Sequence, residues 1–150
     1  MRTAKDILQH KGPQFNFIRP EATVLEAITI MKSENISYLI VRDNENRYLG
    51  IISERDYTHK VILANKHSDS TQVKDIMTIG LPMAQPDDTT SYCMLLMNNS
   101  KERYLPVFDK NDFVGIITIH DLMREAMTDY EKGKADLASH EKEFLATHGR

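Results

Sequence analysis

The chain repeats itself, and the repeat is what most restricts its fold. Gly50-Ile51-Ile52-Ser53-Glu54-Arg55-Asp56 returns 65 positions later as Gly115-Ile116-Ile117-Thr118-Ile119-His120-Asp121. With a one-residue gap in a loop the match extends upstream. Pro20, Thr23, Met31, Tyr38, Leu39, Val41 and Asp43 align with Pro86, Thr89, Met97, Tyr104, Leu105, Val107 and Asp109. Earlier still, Lys5-Asp6-Ile7-Leu8 resembles Lys74-Asp75-Ile76-Met77. This period is longer than the units of solenoids and propellers and fits a tandem pair of small α+β units. Each half of a 150-residue chain buries too little surface to be comfortably stable alone, so the two are expected to share a core. A polar motif that closes both copies points to two related half-sites facing each other.

Local patterning gives the same order of elements twice. Thr23-Val24-Leu25-Glu26 has the form of a capping box, with Leu25, Ile28 and Met31 at helical spacing behind it, which predicts a helix over 23–34. Tyr38-Leu39-Ile40-Val41 and Tyr48-Leu49-Gly50-Ile51-Ile52 are short apolar runs around the turn Asp43-Asn44-Glu45-Asn46, and a second helix starts near Ser53. The second copy predicts a helix over 89–99, strands around 104–108 and 113–118 separated by Asp109-Lys110-Asn111-Asp112, and a helix from about Ile119. The domain plan is repeat one over 1–64, a polar linker over 65–72, repeat two over 73–129 and a polar tail over 130–150. In the tail, Leu137, Phe144 and Leu145 suit one side of a short helix beyond Gly133, with a frayed end as the default and packing against a dimer partner as the alternative.

Composition excludes several classes. A net charge of -3 and a pI near 6.1, with both signs mixed along the chain, argue against nucleic acid or an anionic membrane as the main partner. No apolar run approaches the ~18 residues of a membrane span, and no signal-peptide pattern opens the chain, so a cytoplasmic location is expected. The single cysteine, Cys93, excludes an internal disulfide and reads as a buried structural thiol. The six histidines lack paired metal spacing, so no metal site is expected. No nucleophile-base pair, Walker loop or dinucleotide glycine pattern is recognisable, and the expectation is that the protein is not an enzyme.

The repeated heptad sits where a strand ends and a helix begins. Backbone amides are unpaired there and suit an anion such as phosphate. The Ser53 or Thr118 hydroxyl adds a donor, and the glycine lets a ligand or another backbone come close. Asp56 and Asp121 lie one turn further on, and an acceptor-only carboxylate suits a vicinal diol such as ribose. Ser-x-x-Asp at a helix start is equally a capping pattern that needs no ligand. Retention of the whole pattern in both copies favours the ligand reading.

Gly-hydrophobic-x-Ser/Thr-x-x-Asp closing each of two such repeats resembles the nucleotide signature of tandem CBS domains, the Bateman module, over residues from about 3 to 128. The first copy, with Tyr57 and Lys60-Val61-Ile62-Leu63 following, is similar to two-CBS proteins described as inosine monophosphate dehydrogenase-like, although no dehydrogenase barrel is present. The resemblance implies β-α-β-β-α units paired sheet to sheet about a pseudo-twofold axis, with clefts between them for adenosine-containing ligands. Asp56 and Asp121 would then hold ribose hydroxyls, with Ser53 and Thr118 near phosphate. Adenine would lie against the strand starts Ile36-Ser37-Tyr38 and Arg103-Tyr104-Leu105-Pro106.

Arg55, Lys60 and Arg103 are the candidate phosphate cations, with ordinary solvated charge as the competing reading, most seriously for Lys60. His120, beside Ile119 in the second motif, is either a phosphate neighbour or an exposed helix-start residue. His59 stands where such relatives often carry arginine, and Ser37-Tyr38 replaces a smaller pair, so unequal clefts are expected. The expected function is therefore a homodimeric regulatory module. It needs no cofactor, binds an adenine nucleotide (AMP first, ADP or ATP as alternatives) and signals to an unidentified regulated protein. NAD(H) or S-adenosylmethionine as ligand, or a ligand-free interaction module, are the alternatives.

Overall fold

A computed structural model describes residues 2–148 of the chain. Both predicted helix starts are real caps. The Thr23 hydroxyl accepts the Glu26 amide at 3.1 Å, and the Glu26 carboxylate accepts the Thr23 amide in return at 3.3 Å, opening α2 (Val24–Glu34). Thr89 caps α5 (Thr90–Ser100) in the same way, with Tyr92 in place of the glutamate. Each helix is stopped by a residue in the left-handed region, Asn35 (φ 54°) and Lys101 (φ 57°), which are equivalent positions of the repeat.

The strands follow. β1 (Phe17–Ile18) runs parallel to β2 (Tyr38–Arg42), which pairs antiparallel with β3 (Tyr48–Ser53), and the register sets Leu39 opposite Ile52. In the second copy β4 (Tyr104–Asp109) pairs with β5 (Asp112–Thr118), with Leu105 opposite Ile117. Its counterpart of β1 shrinks to one parallel bridge between Ala84 and Val107, held by Ala84 N–H to Pro106 O at 2.9 Å and Phe108 N–H to Ala84 O at 3.0 Å. Pro82 and Pro86 flank that bridge two residues away on each side, where the next ladder donors would stand.

The earliest repeated segments change places. α1 (Ala4–Lys11) buries Ala4 and Ile7 among Cys93, Met97, Leu105, Val107, Ile117 and Leu122, in the core of the second repeat. α4 (Val73–Ile76) buries Val73 and Ile76 in the core of the first, with Val24, Met31, Leu39 and Ile52. The docking is symmetric. Ala4 and Lys5 amides reach Asp88 and Pro86 carbonyls, while Val73 and Lys74 amides reach those of Ala22 and Pro20. A third core lies between the two sheets, where Ile40 and Ile51 meet Leu81 and Ile116 under Phe15, Phe17, Tyr48 and Phe113. Sheet-to-sheet pairing of two α+β repeats is thus what the chain adopts.

The end of the chain departs from expectation. The tail read as a frayed end or a separate short helix is instead the continuation of α6 (Ile119–His148), which runs through Gly133 without a break. Glycine weakens a helix by about 1 kcal/mol but does not terminate one. The two expected ends of the motif helices also differ: α3 (Glu54–Tyr57) passes directly into a π-helical turn over Thr58–Ile62, whereas α6 stays regular.

Candidate functional site

Ser53 and Thr118 end their strands and begin α3 and α6, and both are buried. In the first motif the Ser53 amide and hydroxyl donate to Asp56 Oδ2 at 3.0 and 3.2 Å, and the Asp56 amide donates back to the Ser53 hydroxyl at 3.2 Å. Asp56 Oδ1 accepts the Thr78 hydroxyl at 2.7 Å and lies 2.9 Å from Lys60 Nζ, which also donates to the Ile76 carbonyl. In the second motif the Thr118 amide donates to Asp121 Oδ2 at 2.8 Å. Lys11 Nζ reaches the same oxygen at 2.9 Å, and Arg124 binds Oδ1 at 2.6 Å. Burial pushes the Asp121 carboxyl up, but hydrogen bonds from Lys11 and the Thr118 amide and the Lys11 charge outweigh it, so its pKa lies below the ordinary value.

These motifs face two clefts. The first, about 480 Å³, collects Ser53, Arg55, Asp56 and Lys60 from one repeat and Arg103, Tyr104, Thr118, Ile119 and His120 from the other, with Ser37 between them. Glu54 and Glu102 also line it, as does His59. The second cleft, about 850 Å³, brings Asp121, His120 and Thr118 against Ile36, Ser37 and Tyr38, with Lys11, Lys32 and Arg124 on its walls. Each cleft therefore pairs the motif of one repeat with the strand start of the other.

Most of the sequence-predicted residues meet in this way, but not all in the expected role. Leu105 and Pro106 line neither cleft: Leu105 is packed in the second core, and Pro106 is buried in β4 opposite Ile116. Lys60 is held by Asp56 and the end of α4. Among the described residues the Arg55 side chain makes one hydrogen bond, to the Lys101 carbonyl at 3.3 Å, and is exposed. Lys11, Arg124 and Thr78 were missed. Lys11 lies 110 residues from Asp121 in sequence, so only the exchange of α1 brings them together. Arg124 follows Asp121 by three positions on a helix, a spacing at which the pair was readable.

Between the clefts the two repeat-equivalent tyrosines pack against each other. The rings of Tyr38 and Tyr104 lie 4.8 Å apart, and the Tyr104 hydroxyl sits 2.8 Å from Ser37 Oγ. Burial raises both phenol pKa values, so both rings stay neutral at physiological pH, with the Tyr104 hydroxyl bonded to Ser37. Tyr104 lines the first cleft and Tyr38 the second, so their contact closes the space between the two. Among the described residues no helix is long and apolar enough to cross a membrane, and no group of three or more His, Cys, Asp or Glu is placed to hold a metal.

Comparison with known proteins agrees with this architecture. The CBS domain family matches residues 4–62 and 73–128. The mitochondrial CBS domain-containing protein CBSX3 of Arabidopsis thaliana is 30% identical over 138 residues, covering 87% of this chain and 67% of that protein. The inosine-5'-monophosphate dehydrogenase of Methanocaldococcus jannaschii is 36% identical over 108 residues, 71% of this chain but only 21% of the enzyme. A CBS-domain crystal structure is 36% identical with a TM-score of 0.78, covering 84% of this chain and 98% of that one. The chain belongs to the CBS-domain family as a tandem CBS pair, a type of module that is generally regulatory and ligand-binding.

Proposed function

We propose that this protein is a non-enzymatic sensor that binds an adenosine nucleotide in the first cleft and passes that state, as a homodimer, to a protein it regulates. The observation that carries the reading is the convergence of cations and hydroxyls from both repeats on one cleft. Arg55 and Lys60 come from one side and Arg103 and His120 from the other, around Ser53 and Thr118. A phosphate leaves water only for several charge-assisted donors, and two exposed arginines with few protein partners are free to supply them. Glu54 and Glu102 on the same walls disfavour a large polyanion, which supports AMP ahead of ADP and ATP. NAD(H) and S-adenosylmethionine remain the competing adenosine ligands. Because the cleft is built from both repeats, a ligand there interacts differently with their two relative positions and so shifts their population.

A specific observation favours the second reading, a ligand-free interaction module. Both motif carboxylates already close a helix start and hold a cation, so neither needs a ribose to be satisfied. Thermal midpoints measured against AMP, ADP, ATP, NAD⁺ and S-adenosylmethionine separate the two. A ligand at ~100 times its Kd adds about 2.7 kcal/mol, and at the same ligand concentration Arg103→Ala should cut that gain to about 0.3–1.4 kcal/mol. No shift with any of the five would leave the interaction module.

A further inference from the structure

Every residue of α6 from Ala126 to His148 is exposed. That is about 34 Å of helix at 1.5 Å per residue, with only its first turns packed on the second core. A solitary helix of this length is marginal in water and is normally stabilised by an apolar face with something against it. Such a face is present. Met123, Tyr130, Leu137 and Phe144 recur every seven residues, and Met127 and Leu145 widen the stripe. Tyr130, Leu137 and Phe144 are 71%, 73% and 60% exposed, whereas α2 and α5, which expose Leu25 and Leu95, also bury Met31 and Met97 in a core.

Gly133 lies within this segment with no heavy atom near enough to meet an added Cβ, so nothing inside the chain requires a glycine there. Its lack of a side chain leaves a hollow between Tyr130, Lys134 and Leu137 on one side and Asp129, Asp136 and His140 on the other. Positions i, i+3, i+4 and i+7 are those of a hole that accepts a knob from a facing helix.

Charge selects the occupant and its direction. The polar residues on the stripe are Lys134, Glu141 and His148, while Asp129 and Asp136 border the far side of the Gly133 hollow and Glu143 lies further around the helix. A parallel second copy would set Lys134 on Lys134 and Glu141 on Glu141. An antiparallel copy centred between Leu137 and Ala138 sets Lys134 on Glu141 twice, Tyr130 on Leu145, and Glu141 with Lys142 over the Gly133 hollow. A twofold pair of this kind satisfies its own surface, as an isologous contact must.

We propose that the exposed stripe of α6 is an antiparallel pairing surface for α6 of a second copy of this chain. This names the surface that joins the homodimer and stands whether or not the clefts hold nucleotide. Sedimentation of the full chain over a dilution series should show a reversible dimer. Leu137→Glu should yield a monomer whose thermal unfolding of the CBS body is retained. Lys134→Glu and Glu141→Lys should each weaken the dimer about tenfold or more, and the two together should restore it. Gly133→Leu should also weaken it, although leucine is the better helix former. Direction is read by oxidative cross-linking: Tyr130→Cys with Leu145→Cys links two chains, while Tyr130→Cys alone does not. A monomer at all concentrations, a dimer unmoved by Leu137→Glu, failure of the double charge exchange to restore pairing, a dimer tightened by Gly133→Leu, or ready cross-linking of Tyr130→Cys alone would overturn the proposal.

Discussion

Replacing Gly50 by alanine tests why the repeated motif begins with glycine. A Cβ on Gly50 would sit 2.6 Å from the Thr78 carbonyl oxygen and 3.2 Å from Ile79 Cγ2. The first contact is with backbone and cannot be relieved by a rotamer change, so the extended segment after α4, which bridges Ile51 through Thr78, must move. That segment is tied to β3 by Ile51 N–H to Thr78 O at 3.0 Å and by Thr78 N–H to Ile51 O at 2.7 Å. Its Thr78 hydroxyl holds Asp56 Oδ1. Overpacking costs ~1–3 kcal/mol, and each strained hydrogen bond adds up to about 1 kcal/mol. The segment continues into exposed Ile79 and Gly80, which limits the total by letting it shift, so about 2–3 kcal/mol is expected. At roughly 2–4 °C per kcal/mol for a chain of this size, the midpoint in scanning calorimetry should fall by about 5–10 °C. A fall under ~2 °C would refute the backbone-contact explanation and leave ligand access as the reason for the glycine.

Other substitutions probe separate parts of the account. Ser53→Ala removes the hydroxyl that caps α3 and should cost ~0.5–2 kcal/mol in urea denaturation. Lys11→Met tests the depressed Asp121 pKa. A lowered folded pKa contributes stability above the unfolded value of about 3.9 that fades as pH falls through the folded one. The variant should therefore lie ~1–3 kcal/mol below the parent near neutral pH, with the gap closing below about pH 4; a pH-independent gap would contradict the assignment. Burial pushes the Cys93 thiol up to about 11, so its reaction with a disulfide reagent should follow global unfolding, and fast labelling of the native protein would show that the second core opens locally.

The elements that the sequence makes readable are those whose causes are local. The Thr23-to-Glu26 capping box, the Asp43 turn and the alternation of Ser53 and Thr118 motifs with apolar runs each depend on residues within four positions of one another. What is not local was not readable. The docking of α1 in the second core depends on packing across roughly 80 residues or more, α4 reaches the first core from outside that repeat, and Lys11 meets Asp121 only because of this exchange. The lost strand at Ala84 could have been read from Pro82 and Pro86, whose missing donors fall at alternate ladder positions. The Tyr38–Tyr104 contact required knowing that the two strand starts meet, although the repeat itself had already marked the residues as equivalent. The tail's polar composition suggested a frayed end, whereas its residues through His148 are good enough helix formers to continue α6 past Gly133.

Nucleotide recognition by cations drawn from both repeats is tested most directly by isothermal titration of the protein with AMP, for the parent and for Arg103→Ala. The account predicts saturable binding, weakened about 10- to 150-fold by the substitution, which corresponds to one charge-assisted contact of roughly 1.5–3 kcal/mol. Absence of binding by the folded parent, or an affinity unchanged in Arg103→Ala, would contradict it.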